Sequence, residues 1–434
     1  FRTPAINASG HTAFYARLSG AGVSNLNSEA IFSEGRGGGP KLVARAGNAA
    51  PGAPPEASRF GRFQEAFPTI NSRGQTAFTA RLENNRLAVF SESVNAGLTL
   101  QAMTGESFPG AEPGITLRII SDTSPVLNGD GDIAFAANLS NSKTNPSGPR
   151  AIFKKRSGED LQLLAHEGAQ APGLAEGVLF GSQTSGVSIN TRGEAAFFAQ
   201  LNDESIPFSI SGTFSEEGGS LSLINRERGA AGGVAYTAGV SHIINDGGYT
   251  AFFASGPNGT AIFGGVSSEG RTGVSELLFI GDAAPGFADG TKLRFFNNPS
   301  VNVHGQIAVQ ALLQGSGITA ERDEAIFAQD SSGEFQLIIS EGGVIDVSED
   351  SDASDIRTVA ELMFARLTGN ADGRPSGFSD RGELSFYASF TDGTSGIFVS
   401  DVVAIPEPTA QVLGLVAGLF ALACPRRHFV RLVK

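Results

Sequence analysis

The sequence predicts an all-β fold, a seven-bladed β-propeller of about four strands per blade, with a short C-terminal apolar helix after it. Three observations lead there. The pattern Asn-x-x-Gly-x-x-Ala-Phe recurs seven times, the last copies in degenerate form. Each copy opens a segment in which apolar and small residues alternate with a period of two. The composition, 57 Gly and 20 Pro with only 17% charged residues, suits many short strands and tight turns rather than long helices.

The motif comes first. It reads Asn7-Gly10-Ala13-Phe14, Asn71-Gly74-Ala77-Phe78, Asn128-Gly131-Ala134-Phe135, Asn190-Gly193-Ala196-Phe197 and Asn245-Gly248-Ala251-Phe252. Asn302-Gly305-Ala308-Val309 replaces the Phe, and Ser379-Gly382-Ser385-Phe386 is looser still. Asn or Ser suits the first position of a type I turn, because its side chain can bond the backbone two residues on. Gly at the fourth position tolerates the positive φ of a hairpin with a G1 bulge.

A strand follows each turn. One face carries Phe14, Ala16 and Leu18, then Phe78, Ala80 and Leu82, then Phe135, Ala137 and Leu139. The other carries Arg17, Arg81, Asn138 and Gln200, which suit solvent or a polar rim. Period two with one apolar face marks a half-buried strand.

Further signals recur in order. Ala30-Ile31-Phe32, Ala88-Val89-Phe90, Ala151-Ile152-Phe153, Ala261-Ile262-Phe263 and Ala325-Ile326-Phe327 end a second strand. Leu42-Val43-Ala44 and Leu163-Leu164-Ala165 mark a third. Pro51-Gly52, Pro109-Gly110, Pro172-Gly173 and Pro285-Gly286 mark turns, with Pro presetting φ for Gly to follow. A last strand leads to the next Asn. Four-stranded units of about sixty residues can bury both faces by packing around an axis. An open β-solenoid or two smaller sandwiches are the alternatives. Closing the ring calls for strands from upstream of Phe1, with the last sheet mixed from both ends of the chain.

The domain reading is a propeller over 1–400, a linker over 401–409, and an apolar helix with a basic tail over 410–434. The linker holds Pro406, Glu407 and Pro408; Arg426 and Arg427 follow the apolar run from Ala410 to Cys424. Fifteen helical residues span about 22 Å, short of the roughly 30 Å hydrocarbon core. The basic end would stay cytoplasmic, with the propeller on the far side.

The repeat resembles the tandem-repeat bacterial family named after the NxxGxxAF motif, whose members carry a choice of C-terminal anchors. The tail resembles the PEP-CTERM sorting signal. That resemblance implies an exosortase-type processing enzyme as partner, transient membrane insertion through the tail, and release to the cell surface or the extracellular space. Pro425 and the short arginine cluster depart from the usual tail.

No catalytic or metal constellation emerges. The five histidines, His11, His166, His242, His304 and His428, are scattered over different units. The only cysteine, Cys424, rules out an internal disulfide. The net charge of -13 argues against nucleic acid as a partner. No cofactor is expected. Asn128, Asp130 and Asp132 are spaced like a calcium loop but coincide with a repeat turn, and the acidic stretch from Glu349 to Asp355 is a second weak calcium candidate. The functional expectation is a non-enzymatic interaction platform. The alternatives are a polysaccharide-binding propeller and a propeller hydrolase using axial carboxylates.

Overall fold

In the computed structural model, seven antiparallel sheets of four or five strands follow one another along the chain as the blades of a propeller, with a separate two-stranded pair, Ala230–Ala231 with Val234–Ala235, between the fourth and the fifth. The structure describes residues 430–432 and residues 5–404, apart from 8–10, 36, 64–67, 94–96, 120–123, 142–147, 204–209, 227–229, 232–233, 236–237, 246, 257–258, 269–270, 273–274, 289, 349–353, 365–371, 373 and 375. The predicted apolar helix and Pro406, Glu407, Pro408, Arg426 and Arg427 lie outside the described residues.

Blade 1 shows the plan. A short inner strand, Ala5–Ile6, pairs with Thr12–Arg17 across the motif turn. Glu29–Ser33 and then Lys41–Arg45 add outward. Blade 2 repeats it with Thr69–Ile70, Thr76–Arg81, Leu87–Ser93 and Gly97–Met103. In blades 3 and 6 the entering segment, Ile115–Arg118 or Lys292–Phe296, forms a further strand on the same partner as the inner one. In blade 4 entry and inner strand merge into Leu179–Ile189.

The register explains the two phenylalanines of each repeat. The motif Phe stands directly opposite the Phe of the Ala-Ile-Phe strand: Phe14 with Phe32, Phe78 with Phe90, Phe135 with Phe153. Their rings stack with centroids 5.8, 6.0 and 5.8 Å apart. Phe197–Phe214, Phe252–Phe263 and Phe386–Phe398 repeat the pair. Each fully buried Phe contributes roughly 1.5–3 kcal/mol. In six blades the pairing to the outermost strand shifts by a bulge beside this Phe, as between Ile31 and Phe32 or Ile326 and Phe327. Such a bulge adds twist to the blade edge.

Blades pack face to face. The Ile face of one meets the Phe face of the next, so neither strand face stays half-exposed in the interior. Ile31 of blade 1 joins Phe60, Phe63, Phe78 and Phe90 of blade 2. Ile152 joins Phe180, Phe197 and Phe214; Ile326 joins Phe364, Phe386 and Phe398. Asp372, in the long interval of blade 7, accepts at its carbonyl from the Leu127 amide of blade 3 at 2.8 Å. That bond joins blades far apart in sequence, across the ring.

The C-terminal end differs from expectation. Val430–Leu432 pairs with Ser395–Ser400 as the outermost strand of blade 7. The sequence reading places only a basic tail there, because three residues carry no readable period. The sole helical element among the described residues is a 3-10 turn at Pro55–Ala57. No helix among the described residues is long and apolar enough to cross a membrane.

Candidate functional site

The motif turns gather at one end of the propeller. The turns whose residues are all described have the expected form. The Asn71 side-chain oxygen accepts from the Arg73 amide at 3.1 Å and the Gln75 amide at 2.8 Å. Asn128 does the same for Asp130 and Asp132, and Asn190 for Arg192 and Glu194. Gly193, at φ +71, closes its turn on the Asn190 carbonyl. A Cβ there would lie 2.6 Å from Asp132 Oδ2 of the preceding blade. Gly193→Ala is therefore expected to cost about 1–3 kcal/mol, read as a lower urea midpoint; an unchanged midpoint would count against this crowding.

The motif residues also form a relay between blades. Asn7 Nδ2 donates to the Asn71 carbonyl at 2.9 Å, Asn71 to Asn128 at 2.6 Å, and Asn128 to Asn190 at 2.8 Å. Asn245 continues it to Asn302 at 2.8 Å, and Asn302 to Ser379 at 3.3 Å. Asn7, Asn71, Asn128 and Asn190 are thus linked in one run and Asn245 and Asn302 in a second, with Gly74, Gly131, Gly193, Gly248 and Gly305 all at positive φ. Gly10 lies outside the described residues.

Two further positions belong to this network, each in four repeats, and sequence reasoning missed both. The residue after the motif Gly takes the second Nδ2 proton: Gln75 from Asn71, Asp132 from Asn128, Glu194 from Asn190, Gln306 from Asn302. The residue two beyond the Ala-Ile-Phe Phe accepts an amide from the motif strand: Glu34 from Thr12, Glu92 from Thr76, Glu216 from Ala195, Gln329 from Ile307. Stacking the seven repeats in phase shows an acidic or amide residue in five copies at the first place and in four at the second, which is the signal that could have found them.

The electrostatics follow from these bonds. The Thr12 hydroxyl and amide hold the Glu34 carboxyl below its ordinary range. Burial pushes Glu92 up, and its bonds from Thr76 only partly oppose that. Burial also pushes Glu194 up, but bonds from Arg192, Asn190 and the Gly218 amide outweigh it and hold the carboxyl low. Lys154 Nζ lies 2.7 and 2.8 Å from the Glu216 oxygens and 3.0 Å from the Gly193 carbonyl, with both side chains almost fully buried.

Between blades the surface opens into polar clefts. One of about 300 Å³, between blades 4 and 5, is lined by Arg192, Glu194, Ser215, Glu217 and Ser222. Another of about 250 Å³, between blades 2 and 3, is lined by Glu92, Thr99, Gln101, Lys155, Arg156 and Glu159. Hydroxyls, amides, carboxylates and guanidinium groups can hydrogen-bond a polyhydroxylated or charged ligand there.

The calcium-like turn is otherwise engaged. Asp132 Oδ2 accepts from Asn128, its Oδ1 accepts from the Ser157 amide at 2.8 Å, and Asp130 pairs with Arg73 at 2.7 Å. Of the acidic stretch, residues 349–353 lie outside the described residues, and Asp355 pairs with Arg357 at 2.6 Å. Among the described residues no group of three His, Cys, Asp or Glu side chains is placed to hold a metal ion.

Comparison with known proteins places the chain in a family. The model of a family of unknown function, DUF7453, matches residues 1–93, 85–275 and 182–412, and the chain belongs to that family. No curated protein matches the chain. Among solved structures, one from a study of two prolyl endopeptidases superposes with a TM-score of 0.45 at 11% identity. It covers 92% of this chain and 47% of its own, so this chain spans about half of that protein. The Dos1 propeller follows at TM-score 0.39 and 8% identity, covering 91% and 79%. The BP39L lectin from Burkholderia pseudomallei gives 0.34 at 14% identity, covering 92% and 93%. At these scores the fold assignment rests on the strand pairing and blade packing described above.

Proposed function

We propose that the chain is an exported, non-enzymatic propeller that serves as an interaction platform at the cell surface or outside the cell, after exosortase-type processing of its tail. The observation that carries this reading is how the repeated polar residues are used. The motif asparagines and their acidic or amide partners bond from blade to blade in two runs, Asn7 to Asn190 and Asn245 to Ser379, so the residues that define the repeat build a scaffold. What that scaffold offers outward is its rim and the clefts between blades. The tail around Pro406, Glu407 and Pro408, with its apolar run and Arg426 and Arg427, supports export and temporary anchoring.

Polysaccharide is the ligand class that the cleft chemistry favours, because hydroxyl and carboxylate groups line both clefts. Deleting residues 406–434 is expected to move the protein from the membrane fraction to the soluble one; unchanged fractionation would overturn the sorting reading. A glycan array with the chain carrying Gln101→Ala and Arg156→Ala is expected to lose the signal of the parent chain, and a parent chain silent on the array would remove the polysaccharide reading.

A further inference from the structure

We infer that the cleft between blades 4 and 5 binds a single neutral sugar ring, such as the end of a glycan presents; this rests on the carbohydrate reading of the clefts and narrows it. Equivalent interfaces set the expectation. Two positions meet where one blade packs on the next: the residue after the Ala-Ile-Phe Phe, and the fifth residue after the motif Asn or Ser of the following blade. Between blades 1 and 2 these are Ser33 and Thr76, both buried, and the Thr76 hydroxyl donates to Ser33 Oγ at 2.9 Å. Between blades 5 and 6 a Cβ on Gly264 would stand 2.9 Å from Ile307 Cδ1, and between blades 6 and 7 Ala328 and Leu384 share one apolar cluster. These contacts are closed. Between blades 4 and 5 the residues are Ser215 and Thr250, the same types as in the first interface, yet the Ser215 hydroxyl turns to the adjacent Glu216 carbonyl at 3.3 Å. Thr250 Oγ1 has no hydrogen-bond partner among the described residues, although the residue is 0% exposed.

A second hydroxyl is in the same state. Ser188 pairs with Ala196, Ala196 with Ser215 and Ser215 with Ser222, so one cross-strand row sets three serines on the blade 4 face toward blade 5. Ser188 Oγ is fully buried and also without a partner among the described residues. On blade 5 the row that faces it pairs Ile244 with Thr250. The cleft of about 300 Å³ opens along these rows, with Ser215, Ser222 and Ile244 in its lining. A buried hydroxyl without a partner costs free energy, and native structures hold few of them. Here two stand beside one polar cleft. Serine and threonine hydroxyls both donate and accept, as sugar hydroxyls do. Glu194 and Glu217 can accept from neighbouring hydroxyls of a ring, Arg192 can donate, and Ile244 offers an apolar surface to its C–H face. The volume lies at the small end for ligand pockets, which suits one ring rather than a stretch of polymer. Three carboxylates, Glu194, Glu216 and Glu217, stand against two cations, Arg192 and the Lys154 that pairs with Glu216. That net negative charge disfavours an acidic sugar.

The probes are D-glucose, D-galactose and D-mannose, each titrated into the full chain and read by saturation-transfer NMR, with D-glucuronate and D-galacturonate as acidic counterparts. Saturable binding of at least one neutral hexose is expected, about tenfold or more tighter than either acid. Ser222→Ala should weaken it about tenfold, as loss of one hydrogen-bond partner does. Ser222 is only half-buried, and circular dichroism checks that the variant folds. A second measurement needs no ligand. Thr76→Val removes a bonded hydroxyl and should lower the urea midpoint, whereas Thr250→Val removes an unpartnered one and should leave the midpoint unchanged or raise it. No saturable binding of any neutral hexose, binding indifferent to Ser222→Ala, or preference for the acids would overturn the inference. So would a Thr250→Val midpoint lowered as far as that of Thr76→Val, since the two blades would then be bonded there. The glycan array keeps the two readings apart. A parent chain positive on the array but blind to all three hexoses overturns only the single-ring site, and a silent array with a bound hexose removes only the polymer.

Discussion

Lys154→Met is expected to lower the stability of the propeller by about 3–5 kcal/mol, the range for breaking one side of a buried ion pair. Lys154 comes from blade 3 and Glu216 from blade 4, and their side chains are 3% and 2% exposed. Neither charge has water to fall back on. The ammonium satisfies its three protons on the two Glu216 oxygens and the Gly193 carbonyl. Methionine fills the same volume but leaves the Glu216 carboxylate buried against one remaining donor, the Ala195 amide at 2.8 Å. Gly193 also loses the partner of its carbonyl.

The double variant Lys154→Met, Glu216→Leu separates charge from packing. With both charges removed, the desolvation cost of each disappears, and an apolar pair of similar volume can be nearly neutral. The Ala195 amide then lacks its acceptor, which costs roughly 1–3 kcal/mol. The double variant should therefore be more stable than Lys154→Met alone. Urea midpoints for the parent, the two single variants and the double complete the cycle. A Lys154→Met midpoint within experimental error of the parent would mean that water reaches the pair.

Much of this architecture is readable from sequence because its determinants are local. A turn needs Asn and Gly at fixed spacing, and a half-turn of side-chain bonding reaches only two to four residues, so the motif announces itself. The stacked phenylalanines are legible as alternating apolar positions, though their register across strands is not. The unread features are those made between repeats. Asn128 Nδ2 bonds a carbonyl 62 residues away, and spacing alone gives no hint of it. Lys154 sits in the run Lys154, Lys155, Arg156, which reads as a solvated charge cluster, yet Lys154 is buried because its strand faces the next blade. The bulge beside each Ala-Ile-Phe Phe leaves no mark in residue type. The clefts likewise arise from the gap between adjacent blades, so their lining residues come from sequence positions with no common pattern.

Asn128→Ala should be nearly as damaging as loss of the ion pair, by about 3 kcal/mol or more, because several buried polar groups lose partners at once. Asn128 is fully buried. Its oxygen accepts the Asp130 amide at 3.0 Å and the Asp132 amide at 2.9 Å, and its nitrogen donates to Asp132 Oδ2 at 2.9 Å and to the Asn190 carbonyl at 2.8 Å. Alanine removes both halves and detaches blade 3 from the blade 4 turn. Asn128→Asp is the sharper test. Aspartate keeps an acceptor for the two amides but turns the donating nitrogen into a second oxygen. That oxygen would face the Asp132 carboxylate and a carbonyl, two acceptors with no proton between them. At neutral pH Asn128→Asp should therefore be no better than Asn128→Ala. Lowering the pH protonates one of the two facing carboxyls and restores a donor, so the aspartate variant should regain stability relative to the alanine variant as the solution becomes acidic. Urea midpoints of both variants across that range measure the difference, and a gap that stays constant with pH would show that the nitrogen, and with it the relay, contributes nothing to holding neighbouring blades together.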